Sequence, residues 1–187
     1  MPLRSRFRHR MVPTGRGTEV AADPTTGLAL EAAVRRSAAD VVRPAAGQRV
    51  VRAQQVPAGL FAHFSPFGAV TAGRDTGDPA FERRHLAEHA RLPAAACRAL
   101  GAAAVEVRVT VLEPRFDGLL DTVPVHPFPE REGGRGGYTR ASASRCRRPS
   151  SASSPKSATT ASRKLLGNAK ERLLTSALGV DRLATLL

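Results

Sequence analysis

The sequence predicts an α+β fold: a small mixed domain with helices packed on a short sheet, basic disordered segments, and a C-terminal amphipathic helix. Three observations carry that prediction. Ala104–Glu113 reads AVEVRVTVLE, and Val105, Val107, Val109 and Val111 alternate with Glu106, Arg108, Thr110 and Leu112, the period of two of a half-buried strand. In Gly27–Val42, the residues Leu30, Val34, Ala38 and Val41 recur at steps of four, four and three, which places them on one helical face. Apolar residues make up 42% of the 187 and aromatics only 4%, with no Trp. Alanine supplies much of the apolar share, so the core must be thin.

Taken in order, the chain divides into a basic arm (1–18), the α+β domain (19–132), a basic Gly/Ser/Arg-rich linker (133–164) and the terminal helix (165–187). Helix 27–42 has Thr25 or Thr26 to cap its start and Arg43-Pro44 to end it. Arg49–Val56 suits a strand stopped by Pro57, and Leu60–Thr71 gathers Phe61, Phe64 and Phe67 among Pro and Gly as core-lining loop or short strands. Asp78 as cap and Pro79 in the first turn open a helix to about Ala90. A break or a bend at Pro93 then leads into a short helix that Gly101 stops, and the alternating strand follows. Val123–Pro129 has three prolines and reads as extended chain or a sheet edge. Gly133–Lys164 lacks the apolar content to offset chain entropy. In 165–187 a stripe of Leu166, Ala169, Leu173 and Ala177 makes the amphipathic helix, which Gly179 ends; Asp181 caps a last turn.

The net charge is +13, and its placement is uneven. Residues 1–18 contain Arg4, Arg6, Arg8, Arg10 and Arg16 and no acid; residues 133–164 contain Arg135, Arg140, Arg145, Arg147, Arg148, Lys156, Arg163 and Lys164, again with no acid. Those two segments account for the whole excess, and the predicted folded parts are close to neutral. Arginine binds phosphate bidentately, and release of condensed counterions supplies affinity without reading sequence. Gly133–Tyr138, GGRGGY, resembles an arginine-glycine RNA-binding segment, with Tyr138 available to stack on a base. The plain alternative is a solvated tail whose arginines reflect a GC-rich coding sequence.

His85-Leu86-Ala87-Glu88-His89 spells H-x-x-E-H. On a helix the two histidines share a face and can meet one zinc, with Glu88 as the base that activates a bound water. The string resembles the inverted zinc motif of insulinase-like peptidases. That resemblance implies a downstream glutamate ligand, for which Glu171 is the candidate. Arg83 and Arg84 beside the motif oppose a cation, and a helix face carrying two histidines is the favoured reading. Cys97 reads as core and His63 as a packed loop histidine. Two cysteines, Cys97 and Cys146, make no disulfide framework and suit a reducing, cytoplasmic setting. No run approaches the roughly 18 apolar residues of a membrane span, and the arginine-bearing N-terminus has no apolar segment of a secretory signal.

The function these features predict is a non-enzymatic nucleic-acid-associated or regulatory protein. It binds DNA or RNA through Arg4, Arg6, Arg8, Arg10, Arg135, Arg140, Arg145, Arg147 and Arg148, and residues 165–187 pair with themselves or with a partner helix. No cofactor is implied. The alternatives are a zinc-dependent hydrolase using His85, His89 and Glu88, or a helix-mediated interaction module.

Overall fold

The computed structural model describes residues 12–51, 53, 61–75, 80–102, 105, 107–110, 126–127, 140–143, 153–157, 168 and 170–184. A short hairpin, β1 (Val12–Pro13) with β2 (Glu19–Val20), precedes helix α1 (Pro24–Arg35). Then come β3 (Ala45–Gly47), β4 (Val50–Val51), β5 (His63–Phe64), β6 (Pro66–Arg74) and helix α2 (Ala80–Ala99). Strands β7 (Val107–Thr110), β8 (His126–Pro127), β9 (Arg140–Ala143), β10 (Ser153–Ser157) and β11 (Glu171–Gly179) follow, then the short helix α3 (Val180–Ala184). The fold class is α+β, and no helix among the described residues is long and apolar enough to cross a membrane.

The centre is the β6–β11 ladder. These two nine-residue strands pair antiparallel without a break, from Glu171 opposite Arg74 to Gly179 opposite Pro66, inside a sheet ordered β10-β11-β6-β3. Directly opposed residues lie on the same face of an antiparallel pair. Val70 and Ala72 therefore share one face with Glu171, Leu173 and Thr175, and that face packs on Ala32, Leu28 and Ala29 of α1. Thr71 and Phe67 share the other with Arg172, Leu174, Ser176 and Leu178. There α2 brings Phe81, Leu86, Ala90 and Ala94 to Leu174, and Cys97 to Leu178. The sheet is thus a filling between two helices.

This arrangement overturns the terminal helix expected over 165–187. Residues 171–179 are a strand because both of their faces are covered. A strand buried on both sides reads as a near-continuous apolar run, and a short run of that kind is indistinguishable from a helix by periodicity alone. A short helix does follow, as α3; Asp181 on it accepts a hydrogen bond from the Ser65 N–H at 2.6 Å. The linker assigned to 133–164 contains β9 and β10. Open strand edges on β7 and β11 supply backbone partners even to sequence poor in apolar residues. The β10 pairing slips between Ser153 and Lys156, where Pro155 has no N–H to give.

Helix α1 begins earlier and ends sooner than 27–42. Asp23, not a threonine, is its cap, accepting from the Thr25 N–H at 2.8 Å, with Pro24 in the first turn. Its face differs too: Ala32 is buried, while Leu30 and Val34 are 47% and 72% exposed. Helix α2 runs on through Pro93 as one element where a break or a bend was expected. Proline removes the bond to the His89 carbonyl, but buried positions on both sides of it dock on one sheet face and keep the helix continuous. Its end is as read: Gly101 has φ +86°, and the Ala102 N–H reaches the Cys97 carbonyl while the Gly101 N–H reaches that of Arg98, the 6→1 and 5→2 pattern of a Schellman stop.

The alternating Val105–Val111 stretch yields the four residues of β7, which lies outside the main sheet, between β8 and β9. Strand β8 is an edge, as the prolines of 123–129 suggest. Of the strand expected at Arg49–Val56, the described residues form β4, and residues 52 and 54–56 lie outside them. Cys97 is core; Cys146 lies outside the described residues. His63 sits exposed on β5, near Arg49, and Phe61 beside it is exposed as well.

The α2–sheet contact is close. A Cβ on Gly73 would lie 2.6 Å from Phe81 Cε2. Gly73→Val is therefore expected to lower stability by about 1–3 kcal/mol through overpacking, read as a fall in the urea midpoint. An unchanged midpoint would show that Phe81 is not seated there.

Candidate functional site

Polar groups are concentrated where α2 faces the sheet. Phe81, His85 and His89 form one row of the helix at intervals of four, and Glu82, Leu86 and Ala90 the next. His85 and His89 are only 2% and 5% exposed. His89 lies between two hydroxyls on adjacent strands: Nε2 is 2.9 Å from Thr71 Oγ1 and Nδ1 is 2.7 Å from Ser176 Oγ. In the neutral ring one nitrogen carries the proton and the other accepts, so one hydroxyl accepts from the N–H and the other donates. Burial pushes the His89 pKa down to about 4; the Glu88 charge opposes the shift, and those of His85 and Arg43 add to it.

His85 places Nδ1 2.9 Å from Glu88 Oε2 and its ring edge against Phe81, with centroids 4.6 Å apart. Glu88 also meets Arg43, Nε to Oε2 3.4 Å. Partial burial raises the Glu88 pKa, but the His85 hydrogen bond and the charges of His85, Arg43 and His89 outweigh it and hold the carboxyl below its ordinary value.

Two ion clusters lie on opposite faces at one end of β11. Toward α2, Arg172 meets Asp75 and, at 3.2 Å, Glu82. Toward α1, Glu171 takes Arg36 at 3.1 Å and Arg74 at 3.9 Å. Consecutive residues of one strand thereby tie it to α1 and to α2.

The H-x-x-E-H string is on a helix with its histidines on one row, as its spacing requires. The zinc site does not assemble. Both His89 nitrogens face hydroxyls, His85 is held by Glu88, and Glu171 lies across the sheet with Arg36 and Arg74. Among the described residues no three His, Cys, Asp or Glu side chains converge. Of the arginines assigned to nucleic acid, Arg140 opens β9 opposite Thr110. Arg4, Arg6, Arg8, Arg10, Arg135, Arg145, Arg147 and Arg148 lie outside the described residues. Sequence reasoning missed Thr71, Ser176 and the Arg172–Asp75–Glu82 cluster. Arginine and hydroxyls on alternate positions of an apolar stretch are the signal for them, and it is legible only once that stretch is known to be a strand.

No protein-family model and no curated protein matches this chain. Solved structures do. Apo histidyl-tRNA synthetase of S. aureus matches with a TM-score of 0.64 at 13% identity, over 97% of this chain and 56% of its own. Pyrrolysyl-tRNA synthetase of Desulfitobacterium hafniense matches at 0.63 and 12%, over 100% and 56%. A Bacillus halodurans C protein described as an ATP phosphoribosyltransferase regulatory subunit/histidyl-tRNA synthetase matches at 0.71 and 12%, over 96% and 68%. The chain thus spans little more than half the length of the first two. What it shares with all three, at such identities, is the fold.

Proposed function

We propose that this chain is a non-enzymatic, RNA-associated protein of the cytoplasm, built on a synthetase-like fold, that binds tRNA-class polyanions. The carrying observation is the fold likeness over nearly the whole chain to proteins named as tRNA synthetases. The acid-free arginine segments supply the complementary charge. The non-catalytic part of the reading draws on the two buried histidines, of which His85 is held by Glu88 and His89 by Thr71 and Ser176. The regulatory part of the reading draws on the Bacillus halodurans neighbour, whose description joins a regulatory subunit to a synthetase. The partner-helix reading of 165–187 loses its support, since residues 171–179 are an interior strand.

The test is anisotropy binding of the full chain to bulk tRNA between 50 and 200 mM salt. A variant with Arg135, Arg140, Arg145, Arg147 and Arg148 changed to Ser is the comparison. Each lost phosphate contact lowers the slope of log K against log salt by about 0.7–0.9, so the variant should lose up to roughly 3.5–4.5 units of slope. Binding equal to wild type would remove the segment from the interface. ATP-dependent charging of bulk tRNA with mixed amino acids should stay at background; charging above it would overturn the non-enzymatic reading.

A further inference from the structure

The charge excess lies in the two acid-free segments, yet the folded body has a cationic surface of its own. Helix α2 exposes Arg84, Arg91 and Arg98 to solvent. They are seven residues apart, and seven residues bring an α-helix to within about 20° of two full turns. The three therefore stand in one row, along about 21 Å of helix from first to last.

Arg35, Arg36, Arg43, Arg74 and Arg172 each meet a carboxylate. Like exposed Arg16 and Arg49, Arg84, Arg91 and Arg98 have no carboxylate partner among the described residues, but these three share one helix row. The acid that shares their row is Glu88, four residues from Arg84 and three from Arg91. It is already taken by His85 and by Arg43, which brings a further cation to the middle of the row. Between Arg91 and Arg98 the row carries exposed Ala95, which puts no bulk in the way of a partner.

We infer that this row is a second phosphate-binding surface, which holds the sugar-phosphate backbone of the RNA that the arginine-rich segments attract. The inference rests on the proposed RNA partner and adds a site on the rigid body. Guanidinium groups are more weakly hydrated than ammonium groups and present paired N–H groups that fit phosphate oxygens. Over about 21 Å one strand of a duplex passes roughly six phosphates, so each arginine in the row has one within reach. The row itself carries none of the large apolar side chains that anchor protein interfaces, and beside it only Leu92 is exposed, at 36%, which favours nucleic acid over an acidic protein.

The test again uses the full chain and bulk tRNA. R84Q/R91Q/R98Q removes the row. R35Q/R49Q/K170Q removes the same charge from exposed basic residues outside the row and outside both acid-free segments, and is the control. The row variant should lose at least about tenfold in affinity and two to three units of salt slope, and the control less than threefold. R84K/R91K/R98K should keep most of the slope. Thermal midpoints verify folding, and if the Gln variant melts early, single Arg91→Glu substitutes for it. Equal losses in row variant and control would overturn the inference, as would competition by polyglutamate as strong as by tRNA. A loss confined to the Arg135–Arg148 variant would overturn it as well while leaving the proposed function standing. No binding by the wild-type chain would remove both.

Discussion

Replacing Arg172 with methionine should destabilise the protein by about 3–5 kcal/mol, more than the overpacking expected at Gly73. The guanidinium sits on the α2 side of the central strand with Asp75 and the buried Glu82 as partners. Methionine fills similar volume but leaves two carboxylates near each other with their shared cation gone, and the desolvation of Glu82 is then less well compensated. For a chain of this length each kcal/mol moves the melting temperature by about 2–4 °C, so circular dichroism should show a fall of roughly 6–20 °C. Adding Glu82→Gln to the variant should restore part of the loss, because it removes one of the stranded charges. A loss below about 1 kcal/mol would class the cluster with solvent-screened surface pairs.

Acid should weaken the fold through His89. In the unfolded chain an imidazole takes up its proton near pH 6.5, whereas burial between Thr71 and Ser176 delays that until about 4. Between those values the unfolded state binds more protons, so stability falls as pH drops from about 6.5 to about 4. The contribution of this group is level above pH 7 and again below 4. At about 1.4 kcal/mol per pK unit the full loss is about 3 kcal/mol. Urea unfolding at a series of pH values should show it, and His89→Asn should flatten that part of the profile even though it lowers stability at pH 7. A variant profile parallel to wild type from pH 7 to 4.5 would mean that His89 is already charged or solvated in the folded protein.

How much of this was legible in the sequence depended on whether a signal was local. Gly101 as a helix stop, the prolines marking the β8 edge and Cys97 as core are decided by neighbouring residues, and each is where its residue type requires. The two strands of the main ladder are not local features. Pro66–Arg74 and Glu171–Gly179 each have both faces covered, so neither shows the alternation that marked Val105–Val111. The most regular strand pattern consequently belongs to a minor sheet. Helix α1 hides its buried face for a related reason. It sits over Gly68 and shows the sheet Ala32, Ala29 and Leu28, while Leu30 and Val34, the apolar residues that recur at helical spacing, point to water. At the candidate site the His85/His89 spacing was correctly helical. What the sequence could not show was that Thr71 and Ser176, on either side of it in the chain by 18 and 87 residues, would occupy both nitrogens of His89.

The β6–β11 ladder also sets an order of assembly. During synthesis β6 leaves the ribosome nearly a hundred residues ahead of its mate, and until β11 arrives Val70 and Ala72 lie along an unpaired edge. An edge of that kind invites pairing with other nascent chains. Premature termination anywhere before Glu171 would leave both helices without the strand that ties them together. Cells expressing this protein should therefore clear such fragments by proteolysis or hold them on chaperones, and folding of the complete chain should be slow for its size, because so distant a closure must come first.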